Sequence, residues 1–162
     1  MFTQSLKKHC NLEFSASRMY LAVSIAASQA GWFGLSKWCV GEAQDEITHG
    51  NRILSLIRDV YGEEMNIKDK AMSTPDTEDL KELLQILLDG EIEVANSITK
   101  LLNEVDCLAI NDLLFLSSVQ RDSILKLRDL VKQADSASGD ISALQAIDKS
   151  LEIYYVIGCP ES

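Results

Sequence analysis

Glu46 and His49 stand three residues apart in the polar run GEAQDEITHGNR, residues 41–52. On a helix that spacing puts the carboxylate and the imidazole on one face, a turn apart. Such a pair can hold a divalent transition metal, and it equally suits an acidic helix surface that happens to contain a histidine. The rest of the chain has to decide. Three further polar residues fall in phase with apolar stripes rather than with solvent: Glu13 with Cys10, Phe14 and Tyr20, Glu91 with Leu84, Leu87, Leu88 and Ile98, and Gln120 with Leu116 and Ile124. Glu93, two positions on from Glu91, turns outward. Carboxylates buried without partners cost on the order of several kcal/mol each. Basic residues near the expected interior are scarce, so metal ions bridged by carboxylates, with one imidazole, would offset that cost.

These residues need helices to position them. Apolar residues recur at helical spacing over about 3–30, and Gly31 and Gly34 bracket two aromatics at the break, with Ser36 or a neighbour starting the next helix. A second helix runs over about 35–61, where Gly62 stops it. Periodicity is then lost until Thr77 or Asp76, which reads as the N-cap of a third helix over about 77–105. A connection of about fifteen residues is longer than antiparallel neighbours need; it suits a crossover along the bundle that leaves helices two and three parallel. A fourth helix covers about 109–133, and a short fifth about 140–156, ending at Gly158 before Pro160. The expected architecture is all-α: one four-helix-bundle domain spanning 1–162, with a long crossover between its second and third helices and a C-terminal fifth helix.

Composition narrows the function. The chain has 162 residues, enough for one core without staples, and its two prolines and eight glycines leave little turn chemistry for an all-β fold. With 25 acidic and 15 basic residues the formal charge is −10, which argues against nucleic acid and anionic membrane as partners and favours cations. Cys10, Cys39, Cys107 and Cys159 form no Cys-x-x-Cys, so reduced thiols in a cytoplasmic protein are expected. Neither a signal peptide nor a membrane span is legible, the most apolar window (20–34) being too short and too polar.

The segments NLEFSASRMYLAVS with Glu13 and Tyr20, DEITHGNR with Glu46 and His49, GEIEVANSI with Glu91, and VQRDS with Gln120 together resemble the ferritin family, specifically the bacterial non-haem ferritins. Order, separation, crossover and fifth helix fit over nearly the full chain. The resemblance implies a hollow homo-oligomeric shell of 24 subunits that takes up Fe(II). Oxidation by dioxygen or hydrogen peroxide would occur at a di-iron centre inside each bundle, with Fe(III) stored as mineral. By this likeness Glu13, Glu46 and His49 bind the first iron, and Glu46 bridges to a second held by Glu91, with Gln120 nearby. Tyr20 is an electron donor or a hydrogen-bond partner. The fifth helix would pack at a symmetry axis by the same likeness, although its hydrophobicity equally suits docking on its own bundle.

One departure limits the likeness. Where the family has Gln-x-x-Glu on the fourth helix, this chain has Gln120, Arg121, Asp122 and Ser123. Asp122 is one position early, about 100° around the helix, and does not substitute. An intact first site, a weakened second site and slower ferroxidase activity are expected. Asp45 and Asp122 match two positions of the third iron site found in bacterial ferritins, but Val119 and Ser123 do not. Bacterioferritins and rubrerythrins fit less well: the fourth helix lacks Glu-x-x-His, and Ile47 stands where a haem-ligating methionine would, so no haem is expected. The rival readings are a shell subunit without efficient oxidation, and a metal-free helical interaction bundle.

Overall fold

The protein, seen in a computed structural model, is described over residues 1–68 and 71–157, the last five by their backbone. Five α-helices follow in order: α1 Phe2–Ala30, α2 Phe33–Ser55, α3 Leu80–Leu102, α4 Ile110–Ser136 and α5 Ile141–Ile157, with a single π-helical turn, Leu56–Val60, extending α2. There is no strand among the described residues.

Side-chain pairings fix the directions. Along α1, Cys10 meets Gly50, Tyr20 meets Trp38 and Ser24 meets Ser36, so α2 runs antiparallel to α1. Ser5 meets Glu104, His9 meets Ser97 and Tyr20 meets Glu91, so α3 is also antiparallel to α1 and therefore parallel to α2. The crossover makes this possible by running the length of α1. Glu63 pairs with Lys7, the Lys68 amide donates to Asn11, and Trp32 Nε1 donates to the Glu78 carbonyl beyond the far end.

Helix ends follow local chemistry. Gly62 has φ +62°, the left-handed conformation that closes a helix, and the Glu63 amide reaches back to the Ile57 carbonyl at 3.0 Å. The third helix starts later than the sequence suggests. Asp79, rather than Thr77 or Asp76, is the N-cap, accepting from the Glu82 amide at 2.9 Å, while the Thr77 hydroxyl donates to the Glu82 carboxylate. Likewise α2 begins at Phe33, so Ser36 lies inside it and bonds Ser24 instead of capping.

The fifth helix docks on its own bundle. Asp148 accepts from the Gly34 and Leu35 amides at 3.0 and 2.7 Å, placing a carboxylate on the free N–H groups of the α2 N-terminus. Leu151 and Ile147 are buried in the same cluster as Leu35 and Trp38. The expected stop at Gly158 and Pro160, and Cys159, lie outside the described residues. Cys10 and Cys39 are buried and Cys107 exposed, all three as free thiols.

The core is in two parts. One apolar cluster holds Val23, Leu35, Leu83, Leu84, Leu87 and Leu127, the other Leu6, Ile53, Ile57, Ile98, Leu113 and Leu116. Glu13, Glu46, Glu91 and Gln120 are buried in the same interior, each no more than 4 % exposed. Among the described residues no helix is long and apolar enough to cross a membrane.

Candidate metal centre

Helical periodicity brings the polar groups inward. Glu13 and Tyr20, seven residues apart, share the buried face of α1; on α2 Glu46 is buried and His49, three residues on, is half-buried. Close approach of the two helices needs Gly50: a Cβ there would stand 2.9 Å from the Phe14 ring. With the helices this close, ligand atoms of Glu13, Glu46 and His49 lie within 4.8 Å of one another. His49 Nδ1 is 3.5 Å from Glu46 Oε2.

Glu91 sits in the same interior but outside that triad. Tyr20 donates its hydroxyl to Glu91 Oε1 at 2.5 Å, and Gln120 Nε2 donates to the other carboxylate oxygen and, at 2.9 Å, to the Glu91 carbonyl. Both Glu91 oxygens therefore already have donors. Tyr20, fully buried and edge-on to Trp38, is held in place by this bond. Asp45 and Asp122 are exposed, and Ser123 is half-buried on α4.

Two participants escaped the sequence reading. His9 is fully buried, with Nε2 2.8 Å from Glu13 Oε1 and Nδ1 3.0 Å from Ser97 Oγ. Its signal was present: His9, Glu13, Ala16 and Tyr20 are spaced four, three and four, one continuous buried stripe. Glu42, one turn before Glu46, is half-buried with its carboxylate 3.9 Å from Lys126 Nζ, and that ammonium lies 4.5 Å from the centre of the Trp38 ring.

Burial governs the electrostatics. It raises the carboxyl pKa of Glu13, lifts Glu46 to about 7 despite the His49 contact, and lifts Glu91 to about 8 with help from the Glu46 charge. Burial also drives His9 down to about 4. His49 is pushed down by burial, but the Glu46 carboxylate more than offsets this and leaves it raised. Tyr20 is pushed well up by burial and then by Glu91. A cation bound among these crowded acids would favour their ionised forms. Glu13 Oε2 and Glu46 Oε2 are buried without any hydrogen-bond partner, and a divalent metal bound by both oxygens and the His49 imidazole would satisfy them. The residues present fit the group.

These shifts set a pH dependence. Glu46, Glu91 and His49 have folded-state pKa values above their unfolded ones, so the stability they contribute is complete at low pH and lost as pH rises through the folded values. His9 has the opposite sign, but its contribution is complete above its unfolded value near 6.5. From pH 6.5 to 8.5 all terms point one way. The Tm of metal-free protein, measured by calorimetry at fixed protomer concentration, should fall by roughly 5–10 °C across that range. Co(II) added at the upper end should restore it, and added at the lower end should displace protons from the buried acids. A flat profile in the metal-free protein contradicts the buried-acid picture.

Comparison with known proteins bears on the family and the fold. The family model described as ferritin, a ferritin-like domain, matches residues 3–112. A search of curated proteins by sequence finds no match. Among solved structures, the open-pore ferritin of the hyperthermophilic archaeon Archaeoglobus fulgidus superposes with a TM-score of 0.87 at 18 % identity, covering 94 % of this chain and 95 % of that one. A closed form of the A. fulgidus ferritin engineered by site-directed mutagenesis gives 0.85 at 19 %, covering 94 % of each chain. A humanized archaeal ferritin gives 0.86 at 20 % with the same coverage. At these identities the likeness shows a shared fold: a ferritin-like bundle.

Proposed function

The chain belongs to the ferritin family, and from that premise we propose that it takes up Fe(II), oxidises it inside each bundle and stores Fe(III) in a hollow shell of 24 copies. The carrying observation is the convergence of Glu13, Glu46 and His49 within 4.8 Å in the bundle interior, with Glu13 Oε2 and Glu46 Oε2 buried and without a hydrogen bond. These three residues hold the first iron. Glu46 bridges towards a second iron at Glu91, with Gln120 beside it. Iron supplies the electrons that reduce dioxygen or hydrogen peroxide. The protein's part is to fix the ligands, exclude bulk water and, at Tyr20, hold Glu91 by a short hydrogen bond.

The second site is the weaker one. Ser123 cannot ligate as an acid would, and Glu91 must share its oxygens with Tyr20 and Gln120. Oxidation is therefore slower than in a relative with a full second ligand set. Ile47, at the position of a bacterioferritin's haem-ligating methionine, carries no ligating atom, and that favours the bacterial non-haem branch. Leu21, Ile25 and Val40 on one helix pair, and Leu114, Phe115 and Leu125 on α4, are exposed apolar side chains, as contacts between shell subunits require.

Loading tests this. Apo-protein given Fe(II) in air should form Fe(III) faster than a protein-free control, and the iron should sediment with a large protein assembly. Iron that stays with the assembly but oxidises at the control rate would favour the shell subunit without efficient oxidation. A monomer from which all iron precipitates would contradict both.

A further inference from the structure

His9 plays no part in the ligand set above, yet it is built into the same interior. It is 0 % exposed, one helical turn before Glu13 on α1. Ser97 of α3 touches Nδ1 at 3.0 Å, and Nε2 faces Glu13 Oε1 at 2.8 Å with no other partner. Two tautomers are open to such a ring. With Glu13 ionised, as a metal ligand has to be, an Nδ1 proton donated to Ser97 would leave the Nε2 lone pair facing a carboxylate oxygen in a dry interior, which is repulsive. With the Ser97 hydroxyl donating to Nδ1, the proton sits on Nε2 and points at Glu13. A small rotation of the ring then completes the hydrogen bond.

We propose that His9 is a positioning residue. The chain Ser97, His9, Glu13 engages Glu13 Oε1 and turns the other oxygen, Oε2, to the cation, so that Glu13 binds through one oxygen only. The inference rests on the reading of Glu13, Glu46 and His49 as a metal centre. His9 acts through Glu13 rather than on the metal, because its nitrogens stand outside the group of ligand atoms that lie within 4.8 Å of one another. A glutamate side chain has free torsions, and a hydrogen-bonded partner behind a ligand is what removes them.

The test is anaerobic Co(II) titration, followed by visible absorption, of wild type, His9→Leu, His9→Gln, Ser97→Ala and a Glu46→Ala control, each shown to be folded by metal-free thermal unfolding. His9→Leu should weaken Co(II) binding by about 10–100-fold and change the cobalt spectrum as Glu13 is released. His9→Gln, which keeps an N–H near the Nε2 position, should recover most of both, and Ser97→Ala should fall between. A merely structural role would leave the cobalt spectrum alone and show no rescue by glutamine. Equal affinity and spectrum in wild type and His9→Leu would overturn the proposal. So would pulsed EPR of a Cu(II)-loaded sample finding two imidazole ligands in wild type and one in His9→Leu, since His9 would then be a ligand itself. If wild type binds no Co(II), the metal centre falls and this inference with it. If Glu46→Ala abolishes binding while His9→Leu does not affect it, only this inference falls.

Discussion

Glu46→Ala is expected to reduce aerobic Fe(II) oxidation to the rate of a protein-free control. Glu46 is the hinge of the proposed centre: its carboxylate lies 3.5 Å from His49, interacts with Glu13 and raises the pKa of Glu91. Loss of a group behind a ligand commonly costs 10–100-fold, and loss of a central ligand should cost at least the upper end of that range. The fold should survive. Glu46 is 2 % exposed and resists ionisation, so alanine removes an acid whose burial opposes stability at neutral pH. Metal-free Glu46→Ala should therefore melt at or above the wild-type Tm at pH 8, despite the small cavity left behind. Glu91→Ala should slow oxidation less, because Glu91 is already shared with Tyr20 and Gln120. Unchanged oxidation by Glu46→Ala would mean that the buried acids serve the fold and not the metal. A rate loss accompanied by unfolding would be uninformative by itself, which is why the Tm is measured on the same sample.

The sequence carried the helices and their faces because burial in a bundle follows a 3.6-residue period that can be read directly. Glu13, Glu46, Glu91 and Gln120 all fell in phase with apolar neighbours, and all are buried. Capping was harder. Thr77, Asp76 and Asp79 are each capable N-caps by residue type, and only the path of the crossover decides that Asp79 meets the free amide of Glu82. Docking of α5 was illegible for a related reason: Asp148 is one acid among many until the Gly34 and Leu35 amides are seen beside it. His9 marks a different limit. Its spacing from Glu13 was visible, but a histidine four residues before an acid has no meaning until a third group, Ser97 from a helix far along the chain, orients the ring. Nor could spacing show that Glu91 has donors on both oxygens, since Tyr20 and Gln120 come from two other helices.

Ser123→Glu is the opposite experiment, a gain instead of a loss. Gln120 is buried and bonds Glu91, and Ser123 lies three residues on, within one turn of the same face of α4 and half-buried. A carboxylate there would stand one turn from Gln120, the residue that bonds Glu91. Asp122 cannot do this because it is about 100° away and exposed. Anaerobic Co(II) titration should then rise from about one tightly bound ion per subunit in wild type to about two, two ions held by bridging and terminal carboxylates being a familiar arrangement in such bundles. The initial rate of Fe(II) oxidation should increase by on the order of tenfold, since two metals together hold and polarise an oxidant that one metal holds at a single point. The new acid also joins an interior where Glu13, Glu42, Glu46 and Glu91 already resist ionisation, so the metal-free variant should melt below wild type at pH 8, with Co(II) reversing the loss. Asp122→Ala should change neither stoichiometry nor rate. Two tight ions in wild type would mean that Glu91 gives up its hydrogen bonds to bind metal; one in Ser123→Glu would mean that the second position is closed by those bonds rather than by the missing acid. The two outcomes separate the chemistry of residue 123 from the grip of Tyr20 and Gln120 on Glu91.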